Sequence, residues 1–360
     1  MLKRDREILN GHNIVHKAYL NLIKGQVNKV SHFLYRLRKR AAGELQRFFK
    51  IGTGWSISHS PGLMFKKALE ENADLYSAHL ECAFFTGRNL IKAGKKVSYD
   101  FEDWYSRDYL VPERPVKLLE ALEKFAIDNG AFVTAASTSM AAALKESYKP
   151  AREITVIYNG FSIEENLAVE RSILPEAPGP LKLLWFSRTV GAGRGIESII
   201  NALAFCKSAV ELHLLGGMAD GYGDFIQKEF SQIKPHSFVM HSFMRHNQLF
   251  NFIRQFDVGL AIEENINDNK KLTVSNKMLQ YLQAGIQVIA SDTAGQKEIA
   301  AFFPSAVHIV DIADPVQVAS AINYCNENRN NDKQKQQSLF NKIFCWEAQE
   351  KKLEELIERI

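Results

Sequence analysis

The feature that most limits what this chain can become is a rhythm, run through twice, of short β-rich stretches alternating with helix-length amphipathic ones. Within residues 73–160 the runs ADLYSAH, KKVSYDF, AFVTAAS and ITVIYNG read as strands, and FFTGRNLIKAG, RPVKLLEALEKFAIDNG and STSMAAALKESY between them read as helices. A second set follows: LKLLWFS, GIESIINALAFCK, VELHLLGG, a helix near DFIQKEFSQI, SFVMHSF, NQLFNFIRQF, DVGLAIEE, SNKMLQYLQAGIQVIASD and HIVDI. Strands separated by helices are joined by crossovers, so each set specifies a mostly parallel sheet covered by helices. The 360-residue length agrees with two domains, because a single core rarely grows past ~250–300 residues.

Between the two sets, 163–180 (IEENLAVERSILPEAPGP) holds three prolines and no apolar period, and reads as an interdomain linker. The expected organisation is an N-terminal α/β domain over 1–162, the linker, a C-terminal α/β domain over 181–338, and a closing amphipathic helix over 339–360. That helix is expected to turn Trp346, Leu353, Leu356 and Ile357 inward and to pack back toward the N-terminal domain. The polar run 326–337 just before it is expected to be solvated.

The rhythm starts late. A doubly wound domain opens on a strand and a glycine-bearing turn, whereas this chain opens on helix-like LKRDREILN, then Gly11, then strand-like NIVHKAY. The first strand is therefore expected to be missing from its central slot, either because the chain starts at an internal methionine or because another segment fills the place.

Composition narrows the function classes. No apolar run reaches the ~18 residues that span a bilayer, and the opening residues have no apolar core of a signal peptide, so a cytoplasmic protein is expected. Cys82, Cys206, Cys325 and Cys345 lie far apart without CxxC or histidine spacing, which suits reduced thiols and not a zinc site or disulfides. Net charge is +4, but the first fifty residues carry twelve Lys/Arg against three Asp/Glu, or +9, leaving −5 on the rest. Within that basic end, 28–50 interleaves Phe33, Leu34, Leu37, Leu45, Phe48 and Phe49 with arginines. Such a segment either lies peripherally on the anionic inner face of a membrane or is a solvated helix of the domain. Nucleic acid is not an expected partner, since the remainder is acidic and carries no nucleic-acid motif.

Four stretches carry candidate chemistry. LKLLWFSRTVGAGRGIESI combines a strand, Arg188, a loop with Gly191, Gly193 and Gly195, and a helix start, which suits a diphosphate held by Arg188 and Arg194. The dinucleotide pattern GxGxxG fails, because Ile196 stands where the third glycine belongs, and the acidic residue expected ~20 positions on is absent. Ser275 and Asn276 stand at a second helix start, with Gly285 at the left-handed position past its end. YDFEDWYSRDY places Asp100, Glu102, Asp103 and Asp108 after a strand, as acceptor-binding groups, acid/base groups or a metal-binding acidic pair, and His79 ends the strand before it.

Together these stretches resemble a nucleotide-sugar-dependent glycosyltransferase of the GT-B fold, similar to the large retaining family 4. The resemblance is carried by VIYNGF, by FSRTVGAGRGIESII against a "GR…KG" phosphate loop, and by SNKMLQYLQAGIQVIASDTAGQKEI with Lys277, Gly285, Ser291, Asp292, Gly295 and Glu298 in place. It implies two Rossmann-like domains facing a cleft. Arg188, Gly193, Arg194, Ser275, Asn276 and Lys277 would hold the donor diphosphate, and Ser242, Phe243, Glu263, Glu264 and Gln280 would meet the nucleoside or sugar. It implies a UDP- or GDP-sugar as donor, a cell-surface glycan or lipid-linked molecule as acceptor, retention of configuration, and no metal or other cofactor. No nucleophile is implied, and Glu102, Asp103, His79 and Glu263 remain catalytic candidates. The family often has two glutamates eight positions apart, and here Leu272 and Gln280 stand in their places. The rival readings are a non-catalytic nucleotide-sugar-binding homologue and a sugar-nucleotide epimerase of the same fold.

Overall fold

The structure, a computed structural model, describes residues 29–108, 111–163, 179–264, 267–329 and 333–360. The helix-like opening, the strand-like run 13–19 with the question of a missing first strand, and most of the linker lie outside the described residues. The chain divides into two compact units, Met1–Thr134 with Leu144–Thr155, and Ala135–Ala143 with Val156–Ile360.

In the first unit, helices α1 (Lys29–Phe49), α2 (Gly54–Ile57) and α3 (Pro61–Glu71) precede the sheet. Helix α3 begins on a proline, whose fixed φ and missing N–H cost nothing in a first turn, and ends where Asn72 turns left-handed at φ 47°. The alternation expected from the sequence follows: β1 (Tyr76–His79), α4 (Leu80–Lys92), β2 (Val97–Phe101), α5 (Val116–Asn129), β3 (Val133–Ala135), α6 (Thr138–Tyr148) and β4 (Thr155–Val156), with Ala135–Ala143, the first half of α6 included, belonging to the second unit. The strands lie in the order β1-β2-β3-β4, with β1 and β2 parallel. Phe84 of α4 sits at the centre of an aromatic core, edge-on to Tyr99, Phe101 and Tyr105 at 5.0, 5.0 and 5.3 Å.

The second unit is built on β5 (Leu181–Val190), α7 (Ile196–Leu203), β6 (Val210–Met218), α8 (Tyr222–Gln232), β7 (Ser237–His241), α9 (His246–Ile253) and β8 (Val258–Ala261). It continues through α10 (Asp268–Leu272), α11 (Asn276–Ala284), β9 (Gln287–Ser291), α12 (Ala294–Ala300), β10 (Val307–Val310), α13 (Pro315–Glu327), α14 (Lys333–Ile343) and α15 (Trp346–Glu358). Its six-stranded sheet runs β10-β9-β8-β5-β6-β7. Successive residues of β5 feed opposite cores: Leu183 and Trp185 pack with Leu212 and Ile199 on one face, Leu184 with Tyr281 and Val288 on the other. A strand buried on both faces has no polar side to show, which is why Leu183, Leu184 and Trp185 follow one another without a break once exposed Lys182 is passed.

Two expectations about the C-terminal end are corrected. The run 326–337 is not simply a solvated tail: α13 extends to Glu327, α14 begins at Lys333, and buried Gln336 donates to the carbonyls of Leu282 and Ile286 at 3.2 and 3.0 Å. An amide can satisfy carbonyls at a helix end, so Gln336 acts as a cap, while Glu327, Asn328 and Lys333 to Lys335 are exposed as expected. In α15, Leu353 and Leu356 are half-buried, but Trp346 and Ile357 are exposed at 39% and 48%. The buried residue is Gln349, whose oxygen accepts from the Tyr158 amide at 3.0 Å and whose nitrogen donates to Ile343 at 2.5 Å.

Candidate functional site

In the second unit the strand order reverses between β5 and β8, and the carboxyl ends of those strands open the crevice where sheets of this kind hold ligands. The two strands pair only at Leu183–Val258 and Leu184–Gly259. Below the opening, Tyr281 of α11 seats its ring on Gly259, where an added methyl would overlap three ring carbons, and donates its hydroxyl to the Leu184 carbonyl at 3.0 Å. That contact sets the height of α11 and thereby the position of its N-terminus.

One wall is the glycine loop after β5. Gly193 and Gly195 adopt φ of +70° and +78°, which a side chain would oppose, and a Cβ at Gly195 would come within 3.2 Å of Ile262. Gly193 faces the Glu264 carboxylate, 3.8 Å from where its Cβ would stand. The loop therefore lies directly on the 262–264 segment that leaves β8. Arg188 is exposed near the end of β5, and its guanidinium makes no ion pair among the described residues. Arg194, also exposed, reaches the Ser187 hydroxyl at 3.4 Å.

The other wall is the start of α11. Ser275 is its N-cap residue, and Asn276 and Lys277 begin the first turn, whose amides have no intrahelical acceptor. Glu263 ties this wall to β8: its carboxylate accepts from Lys277 Nζ at 2.8 Å and Ser275 Oγ at 3.2 Å, while its amide donates to Ser291 Oγ at 2.6 Å. Burial alone would raise the Glu263 carboxyl, but the charge and hydrogen bond of Lys277, with Lys270 and Ser275, hold it below the ordinary carboxylate range. Lys277 also lies 5.7 Å from the centre of the Trp185 ring. Gln280 is half-buried one helical turn beyond Lys277, on the same face, and makes no side-chain hydrogen bond among the described residues.

The geometry thus brings Arg188, Gly193, Arg194, Ser275, Asn276, Lys277, Glu263, Glu264 and Gln280 to one edge of one sheet. Ser242 and Phe243 share that edge but follow β7, two strands from β5 or about 10 Å away, and both are exposed. The candidates of the first unit form their own cluster after β1 and β2. His79 Nδ1 lies 3.1 Å from Asp100 and 3.4 Å from Glu102, its Nε2 lies 2.9 Å from Ser77 Oγ, and Asp100 accepts from Thr134 Oγ1 at 2.6 Å. Hydrogen bonds to Asp100 and then Glu102 outweigh partial burial and raise the imidazole to about 10. Ligand-type atoms of His79, Asp100 and Glu102 lie within 4.8 Å of one another, near enough to share a cation, although at neutral pH the imidazole proton already holds that place. Leu80, next in the chain, is left-handed at φ 69° and donates its amide to the Tyr105 hydroxyl at 3.1 Å. Asp103 is half-buried in the turn after β2. Glu123 braces the following residues, accepting from Trp104 Nε1, from the Ser106 amide and hydroxyl, and from the Tyr148 hydroxyl.

Two arrangements had no signal in the local sequence. One is the Glu263–Lys277 pair, fourteen positions apart. The other is Glu298 of α12, which accepts from the Thr138 and Ser139 amides at 2.9 and 2.7 Å and from Ser139 Oγ at 2.5 Å, so this carboxylate caps α6.

No family model matches this sequence, and no curated protein matches it. Solved structures do. HepE of Anabaena, in complex with UDP, superposes with a TM-score of 0.62 at 18% identity over 82% of each chain. A glycosyltransferase from Rickettsia africae gives 0.66 at 14% identity over 98% of this chain and 87% of its own. Sucrose-phosphate synthase of Thermosynechococcus elongatus gives 0.64 at 14% identity over 85% and 78%. At these identities the likeness speaks for the fold: two α/β units with parallel sheets of four and six strands, the GT-B glycosyltransferase fold.

Proposed function

We propose that this chain is a glycosyltransferase that takes a sugar from a nucleoside-diphosphate donor, UDP or GDP, and passes it to a cell-surface glycan or lipid-linked acceptor. The observation that carries the reading is that, at the switch point between β5 and β8, the glycine loop with Arg194, which follows Arg188 of β5, lies on the 262–264 segment to which Glu263 ties the N-terminus of α11. A departing nucleoside diphosphate gains negative charge as the glycosidic bond breaks, and donors fixed beforehand where that charge appears lower the barrier. Arg188, Arg194 and the amides of Asn276 and Lys277 supply them, with Gly193 letting the backbone approach. This charge serves the role a divalent ion fills elsewhere, so the proposed reaction is metal-independent and needs no cofactor beyond the donor. Complexes of HepE with UDP and with UDP-glucose support the donor class.

Among the catalytic candidates, the protonation states set limits. His79, protonated up to about pH 10, carries a proton at neutral pH and cannot serve as a general base there, which leaves Glu102 or Asp103 for acceptor activation. Glu263, kept ionised by Lys277, suits contact with a sugar hydroxyl. Retention of configuration accords with a front-face route in which no side chain becomes the nucleophile. A second reading, donor binding without turnover, is favoured by Gln280, which offers a neutral amide where the family often has a carboxylate.

Thermal stabilisation by UDP-, GDP- and ADP-sugars, followed by hydrolysis and transfer assays with and without EDTA, tests the reading. Arg188→Ala should weaken the binding donor by roughly 10- to 150-fold, the worth of about 1.5–3 kcal/mol for a charge-assisted contact. Unchanged affinity removes Arg188 from the site, no stabilisation by any nucleotide sugar ends the donor assignment, and binding with no turnover selects the second reading.

A further inference from the structure

Helix α1 is amphipathic in an unusual sense, because its apolar stripe faces outward. Its inner face packs through Ala42 and Gln46, 4% and 6% exposed, with Tyr35 stacked on Trp55 at 6.3 Å and Gln46 donating to the Arg114 carbonyl at 3.3 Å. On the opposite side Val30, Phe33, Leu34, Leu37, Leu45 and Phe48 recur at three- and four-residue spacing, and each is exposed by 42% or more. The choice left open by the sequence, a domain helix with a solvated face or a surface-seeking one, is narrowed by that exposure: the phenylalanines and leucines present much of their surface to solvent.

We propose that this stripe of α1 is a docking surface for an anionic lipid membrane. The charge around it selects that occupant. Within the helix Lys29, Arg36, Arg38, Lys39, Arg40 and Arg47 outweigh Glu44, a net charge of +5 in a first fifty residues of +9, although Arg47 lies 3.9 Å from Glu113 and Arg38 sits over Trp55. Arg36 and Arg40 fall along one border of the stripe by helical position, and both are exposed. Basic residues flanking a strip of Phe and Leu match the headgroup and acyl layers of an anionic leaflet. A second copy would bring +5 against +5, and a nucleic acid would meet the apolar strip where phosphates need charge. No helix among the described residues is long and apolar enough to cross a membrane, so the contact is with the surface. At 21 residues α1 is about 30 Å long, and it lies flat in the interface. The inference stands on α1 alone and does not depend on the donor-site reading.

Flotation with phosphatidylcholine vesicles, with and without roughly 30% phosphatidylglycerol, tests it. The full chain should float with the anionic vesicles at least about tenfold more than with the neutral ones, and less as salt shortens the Debye length. Phe33→Asp/Phe48→Asp should lower flotation about tenfold on anionic vesicles, and Arg36→Glu/Arg40→Glu should remove the anionic preference while leaving the melting temperature unchanged. Flotation equal on both vesicles, absent from both, or untouched by the aspartate pair overturns the proposal. So does a lipid-free dimer that the aspartate pair dissociates, which would assign the stripe to a second copy. Stabilisation by nucleotide sugars is a separate readout, so failure here and failure of the donor site are told apart.

Discussion

Lys277→Met isolates the bond that joins β8 to the start of α11. The substitution keeps most of the stem and removes the ammonium, leaving Glu263 with Ser275 and a distant Lys270. Removing one partner of a fully buried pair costs ~3–5 kcal/mol, and exposed pairs are worth ~0.2–1. With side chains 18% and 24% exposed, Lys277 and Glu263 lie between these limits, giving a loss of about 2 kcal/mol. For a unit of this size that is a melting shift of about 4–8 °C near neutral pH. The dependence on pH carries the reasoning further. In the native protein the Glu263 pKa is depressed, so its contribution is present above the ordinary value of 4.5 and is lost as pH falls through the lower one. In the variant burial dominates and the pKa rises, so the penalty is felt at neutral pH and relieved on protonation. The gap between the two proteins, followed by thermal unfolding across pH, should be widest near pH 7 and close as pH falls past about 4. A gap of constant size across that range would refute the assignment of the loss to the ion pair, as would a double cycle with Glu263→Gln that shows no coupling.

Three other outcomes are expected. His79, raised from 6.5 to about 10, contributes stability that is complete below 6.5 and lost as pH rises through about 10; imidazole NMR of Asp100→Asn should show the titration moving down toward the ordinary range, and a native His79 titrating near 6.5 would remove the cluster. Gly259→Ala drives a methyl into the Tyr281 ring in the middle of β8 and should destabilise the second unit by about 1–3 kcal/mol or more, read by denaturant unfolding. Gln280→Glu should tighten donor binding by roughly 3- to 10-fold in calorimetry if its oxygen accepts from a ribose hydroxyl, and weaker binding would turn that residue away from the sugar.

The strands of both sheets were legible because their signal is local: β-branched and aromatic runs such as VSYDF and QVIAS sit between helical periods and turns. The order of those strands across the sheet, and with it the switch point between β5 and β8, is a long-range pairing that no local pattern records. Pairings between distant segments left no such trace. Nothing in the composition of 326–337 distinguishes a solvated glutamine from Gln336 capping a helix fifty positions earlier. Trp346 and Ile357 fit an inward face by periodicity, yet the interior at α15 is occupied by Gln349, because the Tyr158 amide it meets needs an acceptor. Residues 54–71 form α2 and α3 with little apolar period, their boundaries set instead by Pro61 and the left-handed Asn72.

Tyr158 and Gln349 are 191 positions apart, and Ser139 and Glu298 are separated by 159. The second unit thus includes segments that precede and follow its sheet in the chain, and its core includes Tyr158 together with Phe340 and Phe344. During synthesis this core stays incomplete until the final helices emerge, since contacts of such span must wait for their last partner. A fragment beginning at 181 should therefore be an aggregation-prone species and not a working half of the molecule.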